Sequence, residues 1–413
     1  MIIQPRSFIV NQEIVFQALD FSSNFTKTVA FKPEKHYNIP NDYIKEKMNM
    51  ETPRTYVPYK DWKAPSKQTE YTEATPLLNK DGTLNAKGWA RHNVFDYDRT
   101  LVKKGSPMSK KEWDFYQISD GKYMLQLSFA NIGIGGYVAA KLINLLEGKT
   151  VVDATQLYLG GKKHLPPPKG DVPNRYKDKI GSAEFDFDTK VTYRTLKFKK
   201  PYKGKMVECD FTMDIPHDLE NITTVLPFEG DNTKYFMTTK QNCMPCEGTF
   251  KWGDYCYTFK KEDSFCALDW GRVNTPHNMV WYWGNGSQYI TDEKGEKHVF
   301  GFEITWAIGD ESNATETAIF YDGKAHKFGA VDVEVFPKPD KFMDDWKFIS
   351  EDGRFNLTMK PFFDHHSDMN VGIARMHTHQ VHGLWSGDVT LDDGTKLEIK
   401  DMYAFCEYVE NKW

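Results

Sequence analysis

The sequence predicts an all-β protein made of two fused or stacked antiparallel barrels behind an extended N-terminal arm. Three observations carry this. Apolar residues recur with period two over long runs, two-residue glycine turns join consecutive runs, and helical spacing is scarce. The 413 residues are 40% hydrophobic and 15% aromatic, enough material for sizeable cores.

Residues 1–75 carry Pro5, Pro33, Pro40, Pro53, Pro58 and Pro65 among many charges, without sustained periodicity, and read as an extended arm. Gly136 to Leu146 fits either a helix or buried strands bent at glycines. Val207 to Asp214 alternates along its length, as does Phe300 to Ile308, which places Phe300, Phe302, Ile304, Trp306 and Ile308 on one face. Smaller or polar residues take the other face. Gly253-Asp254, Asp322-Gly323 and Asp393-Gly394 sit between such runs, where glycine supplies the positive φ of tight hairpin turns. So many short strands exceed one small barrel. A seam near residues 225–245 is expected, giving a first barrel over 76–235 and a second over 236–413. A weak echo links Lys111–Tyr116 to Ala267–Arg272 through their Trp-Asp and Asp-Trp pairs.

Lys plus Arg number 53 against 58 Asp plus Glu, a net charge of -5, so no basic excess points to nucleic acid. The first residues are broken by Pro5, Arg6, Asn11 and Glu13 before an apolar core of signal-peptide length develops. No uncharged apolar run reaches the roughly 18 residues of a membrane helix. A cytoplasmic protein without an integral membrane segment is expected. Six cysteines in so long a chain are too sparse for a disulfide framework.

The densest chemical cluster runs from Cys266 to Gly286. It sets Asp269, Arg272 and His277 among Trp270, Trp281 and Trp283. Apolar walls around convergent polar groups are the usual form of a small-molecule site, and such surroundings shift pKa values as acid–base chemistry requires. The competing reading is an Asp–Arg pair closing a barrel end. Glu247 is a separate candidate for a buried carboxylate. Near the C-terminus, His377 and His379 share a strand face, with His382 or Asp364 as a third group, yet no HExxH spacing appears and proton-carrying histidines are favoured over a metal. Cys243 and Cys246 lack the second close pair of a zinc ribbon, since nine residues separate Cys246 from Cys256 and Cys256 from Cys266. The glycines at 133, 135 and 136 lack the third glycine of a dinucleotide loop, and neither a phosphate loop nor a GxSxG elbow is present.

Several of these stretches resemble one family. Gly88-Trp89-Ala90-Arg91-His92, Lys111 to Tyr116, Ala267 to Arg272 with Trp281-Tyr282-Trp283, Glu316 to Gly323, and Gly383 to Gly387 followed by Asp393-Gly394 resemble, in order, the family catalogued as domain of unknown function 2804. The resemblance runs from about residue 70 to the end, with His277 standing where the family pattern has tyrosine. That family is similar, more distantly, to the double lipocalin-like barrels of carotenoid 1,2-hydratases. The resemblance therefore implies two lipocalin-like barrels and chemistry on an unsaturated apolar molecule such as a fatty acid or isoprenoid. The expected activity is cofactor-independent hydration or isomerisation by proton transfer. Asp269, His277, Glu247 and Arg272 are the expected catalytic residues. Trp270, Trp281, Trp283, His377, His379 and His382 are expected around the substrate, with no metal. A lipid carrier without catalysis and a carbohydrate-active protein are the alternatives.

Overall fold

Strict alternation of side chains decides which face of each strand is buried, and in this chain many strands bury both. The computed structural model describes residues 68–413 apart from 161–163, 166–173, 177–184, 191–192, 216–218, 336–340 and 371–373. Residues 1–67 of the expected arm lie outside the described residues.

In chain order the strands begin with β1 (Thr75–Pro76), β2 (Gly88–Ala90), β3 (Phe95–Asp96), β4 (Lys110–Ser119), β5 (Tyr123–Asn131) and β6 (Gly135–Asn144). There follow β7 (Lys149–Leu159), β8 (Asn174–Tyr176), β9 (Phe185–Lys190), β10 (Tyr193–Tyr202), β11 (Lys205–Asp214) and β12 (Ile222–Phe228). Next come β13 (Asp231–Trp252), β14 (Tyr255–Phe259), β15 (Phe265–Asn274), β16 (Asn278–Thr291), β17 (Lys297–Trp306) and β18 (Glu316–Tyr321). The last are β19 (Lys324–Lys327), β20 (Val331–Val335), β21 (Trp346–Ser350), β22 (Phe355–Asn370), β23 (Arg375–Thr390) and β24 (Lys396–Lys412). Helical structure among the described residues is confined to two short 3₁₀ turns, Arg99–Leu101 and Pro107–Ser109. Most of Gly136–Leu146 resolves as strand, ending at Asn144 before a turn at Leu145 and Leu146: Val138, Ala140 and Leu142 alternate into the first core.

The protein is all-β, with two antiparallel barrels, each around its own core. The first sheet runs β7-β6-β5-β4-β15-β13-β11-β10-β9-β8, and Lys200 of β10 reaches the Thr155 carbonyl of β7 at 2.8 Å, drawing distant strands together. Its interior holds Tyr116, Leu127, Val138, Phe198, Phe211, Leu268 and Trp270. The second sheet runs β19-β18-β17-β16-β24-β23-β22-β21-β20. Arg354, between β21 and β22, donates to the Lys327 carbonyl of β19 at 2.8 Å and the Thr390 carbonyl of β23 at 3.0 Å. Trp306, Trp346, Phe348, Phe355 and Trp385 fill the interior of this barrel.

The chain passes from the first sheet to the second between β15 and β16. The expected seam at 225–245 therefore falls inside β12 and β13, both of the first sheet. The reason is the length of β13, whose 22 residues pair with β12 and β15 at one end and β11 and β14 at the other. Ile308 also departs from its expected face. The strand ends at Trp306, Ala307 turns at φ 66°, and Ile308 packs with Leu226 and Phe320 instead of the second core. The echo of Trp-Asp pairs proves to be a contact: β4 and β15 are neighbours, with Asp114 opposite Trp270 and Trp113 opposite Gly271.

The two barrels pack through the outer faces of their walls. Met124, Ile143 and Leu145 of the first meet Trp283 and Phe405 of the second, while Phe236 and Val273 join Met279 and Phe320 in a neighbouring cluster.

Candidate active site between the two barrels

Alternation along β15 separates the residues that the sequence groups together. Trp270 and Arg272 point into the first barrel, where Arg272 Nη2 meets Asp114 Oδ1 at 3.0 Å and the Arg194 guanidinium lies 4.7 Å from the Trp270 ring centre. Asp269, of opposite parity, points to the second barrel. His277 lies in the crossing from β15 to β16, exposed, its carbonyl accepting from Trp413 N at 3.1 Å. The Asp269–Arg272–His277 trio is thus spread over three environments. Glu247 is exposed rather than buried, because it pairs with Thr212 of β11 on the face of β13 opposite to Cys246, which points into the first core.

Three further carboxylates and one lysine meet behind Asp269. Lys240 of β13 stands directly opposite Asp269 in the ladder, with Nζ 3.3 Å from Asp269 Oδ2, 3.6 Å from Glu303 Oε1 and 3.8 Å from Glu316 Oε2. Nζ also lies 4.1 Å from the centre of the Trp283 ring, a cation–π contact. Glu303 accepts from the Trp283 indole and from Asn242 Nδ2 at 3.1 Å, and Glu316 accepts from the Thr238 hydroxyl. Glu407 of β24 accepts from Trp281 Nε1 at 3.0 Å and from Gln380 Nε2 at 3.2 Å.

A β-bulge builds this cluster. Pairing of β13 with β15 slips between Gln241 and Met244, and Cys243 sits there at φ 61°, an uncommon conformation for a side-chain-bearing residue. The bulge delivers Asn242 to the Phe302 carbonyl at 2.8 Å and Cys243 N to Ser287 Oγ at 3.2 Å, fastening β13 to the second barrel.

So many acids cannot all ionise out of water. Burial pushes Glu303 up to about 8 against the pull of Lys240, with Glu316 adding to the push. Burial likewise raises Glu316. It raises Glu407 to about 7 despite the Trp281 and Gln380 hydrogen bonds. Burial alone would lower Lys240, but Asp269, Glu316 and Glu303 outweigh it and hold the ammonium above the ordinary lysine range. The Glu303 and Glu316 side chains have no exposure, whereas that of Asp269 keeps 12%. Asp269 Oδ1 is buried without a hydrogen-bond partner among the described residues.

A cleft of about 370 Å³ opens at the same seam. Gln117, Ala267 and Asn285 line it, each two residues along its strand from Phe115, Asp269 and Trp283. Farther out the walls are polar, with Ser119, Asp120, Glu262 and Lys297 beside Tyr289 and Tyr403.

The remaining histidines divide by parity as well. His377 and His379 share the inward face of β23 with Val381, whereas His382 points to the seam, where its Nδ1 is 2.7 Å from the Tyr403 hydroxyl. Burial lowers His382 to about 3. The sequence reading brings together Asp269, Trp281 and Trp283 but misses Lys240, Glu303, Glu316 and Glu407. The signal for two of them is local: Glu303 stands between Phe302 and Ile304, and Glu407 between Cys406 and Tyr408, each a lone charge in an apolar run.

Fold and site together define a double-barrel β protein with a buried carboxylate–lysine cluster at the seam between its barrels. The chain belongs to the family described as Domain of unknown function (DUF2804), which it matches over residues 68–413. Among solved structures it is similar to kievitone hydratase from Nectria haematococca, at 12% identity and a TM-score of 0.40, covering 84% of this chain and 98% of that one. It is also similar to CghA, at 10% identity and a TM-score of 0.37, covering 76% and 90% respectively. No curated protein matches the chain. No helix among the described residues is long and apolar enough to cross a membrane.

Proposed function

We propose that this protein is a cofactor-independent acid–base catalyst, a hydratase or isomerase acting at a carbon–carbon double bond. The observation that carries the reading is Lys240 buried among Asp269, Glu303 and Glu316, with Glu407 beside them and two of these acids poised near neutrality. General acid–base chemistry works best with groups whose pKa lies near the working pH.

In the hydration reading, Glu407 in its acid form gives its proton to one alkene carbon. Asp269 accepts a proton from water as the water oxygen bonds to the other carbon. One water is added, and a proton passing from Asp269 to Glu407 restores the start. In isomerisation, the same groups remove a proton at one carbon and return one at another. Glu303 and Lys240 serve as positioning residues, holding Asp269 Oδ2 so that Oδ1 is left for substrate. Trp281 and Phe115 supply an apolar wall. The polar cleft favours an unsaturated molecule bearing hydroxyl or amide groups over the fatty acid or isoprenoid expected from sequence. The carrier reading draws no support from the second barrel, whose interior is filled by its own aromatics.

The test is incubation of the purified protein with a panel of unsaturated phenolic, polyol, fatty-acid and isoprenoid compounds in deuterated water, read by mass spectrometry. Deuterium uptake or added water that disappears in Asp269→Asn supports the assignment. Turnover that survives in that variant refutes it.

A further inference from the structure

A second constellation lies at one end of the second barrel. Asp364, His366 and Asp368 alternate along β22, His377 and His379 along β23, and Tyr408 and Glu410 along β24. The ladder pairs His366 with His379 and Asp368 with His377, while His379 and His377 lie opposite Tyr408 and Glu410. All seven therefore share the inward face. Phe342 stacks on the His379 ring at 3.8 Å, seating the group on the end of the aromatic core.

The nitrogens of His377 and His379 converge, their ring planes 72° apart, while the exposed His366 ring stacks on His379 at 4.3 Å and turns off that stack to bring its lone pair to the same ion. His377 Nε2 and His379 Nε2 are 3.2 Å apart, and with a ring nitrogen of His366 the three atoms fall within 4.8 Å of one another. Two nitrogens each about 2.0–2.1 Å from a tetrahedral zinc ion stand about 3.3 Å apart. His379 Nδ1 lies 2.7 Å from Asp364 Oδ2, which places the proton on Nδ1 and the lone pair on Nε2, facing His377. A carboxylate behind a histidine in this way orients metal ligands in known sites. Asp368 Oδ2 stands 3.8 Å from His377 Nδ1, beyond hydrogen-bond distance, and that nitrogen has no hydrogen-bond partner among the described residues. His366 is exposed, giving an ion a route from solvent.

We infer that His366, His377 and His379 bind one divalent transition-metal ion of the zinc type, with Asp364 as the outer partner of His379 and a fourth position open to an oxygen ligand. The site is separate from the carboxylate cluster, and the inference does not rest on the acid–base reading. The sequence expectation of no metal weighed His382 or Asp364 as the third group and rested on the lack of an HExxH spacing. His366, brought alongside by the β22–β23 register, takes that place instead.

The full chain, stripped with a chelator, is titrated with zinc by calorimetry and with cobalt(II) by visible absorption. The expected result is one ion per chain and the cobalt spectrum of a four-coordinate, nitrogen-rich site. Asp364→Asn weakens binding by about 10–100-fold, and His377→Gln and His379→Gln weaken it further. His298→Gln, at an acidic cluster elsewhere, leaves it unchanged. Circular dichroism checks folding, and the exposed His366→Gln serves as the ligand variant if an inward one unfolds. Absence of stoichiometric binding at micromolar zinc overturns the inference. So does binding that survives loss of both His377 and His379, which marks their contact as a hydrogen bond only.

Discussion

Lys240 and Asp269 are cross-strand partners on β13 and β15, and their Nζ–Oδ2 separation of 3.3 Å lies at the seam where the two barrels touch. Neither barrel alone surrounds the pair, because Glu303 and Glu316 come from the second sheet while Lys240 and Asp269 come from the first.

Removing the cation leaves buried acids without their shared partner. Lys240→Met is expected to destabilise the fold by about 3–5 kcal/mol, the usual cost of breaking a buried ion pair from one side. Urea denaturation reads this as a lower midpoint. A change within experimental scatter would show that the carboxylates do not depend on Lys240.

Stability should fall as pH rises from about 4.5 towards 8. Glu303 has a folded value near 8 against an ordinary 4.5, so in that window the native state keeps a proton that the unfolded chain has lost. Its contribution is full below about 4.5 and lost as pH climbs through 8; Glu407, raised to about 7, acts in the same sense. Denaturation midpoints across this range should show a downward slope that is shallower in Glu303→Gln. An equal slope in the variant assigns the effect elsewhere.

Gly271 is needed for packing. A Cβ there would come within 2.0 Å of the Trp113 ring, which lies across the neighbouring strand. Gly271→Ala is expected to cost about 1–3 kcal/mol, as overpacking a tight site does. Thermal unfolding of the variant measures it, and an unchanged midpoint would mean that the indole moves aside freely.

The acid–base roles separate kinetically once a substrate is in hand. Asp269→Asn should lower kcat by about 10²–10⁴-fold, the usual contribution of a positioned acid or base. Glu407→Gln should also remove the limb of the kcat pH profile that titrates near 7. A profile unaltered by that change would exclude Glu407 as a proton donor.

Much of the fold was legible in the chain. Period-two runs such as Val207–Asp214 and Phe300–Trp306, with the Asp322-Gly323 and Asp393-Gly394 turns, define strands and hairpins because alternation and positive φ are local properties. The place where the chain changes barrels was not legible, since the pairing of β13 with four other strands depends on distant partners.

The sequence by itself determined the period-two strands and glycine turns, which are local properties, but it grouped Asp269, Trp281 and Trp283 with Trp270 and Arg272, which alternation along β15 sends to the other face. Tertiary structure alone decided that both faces of β15, β16 and β17 are buried, because the second face is covered by the other barrel. It also decided that Lys240, Glu303, Glu316 and Glu407, far apart in the chain, share one desolvated seam. Their perturbed acidities arise from that burial and mutual charge, which no local pattern encodes.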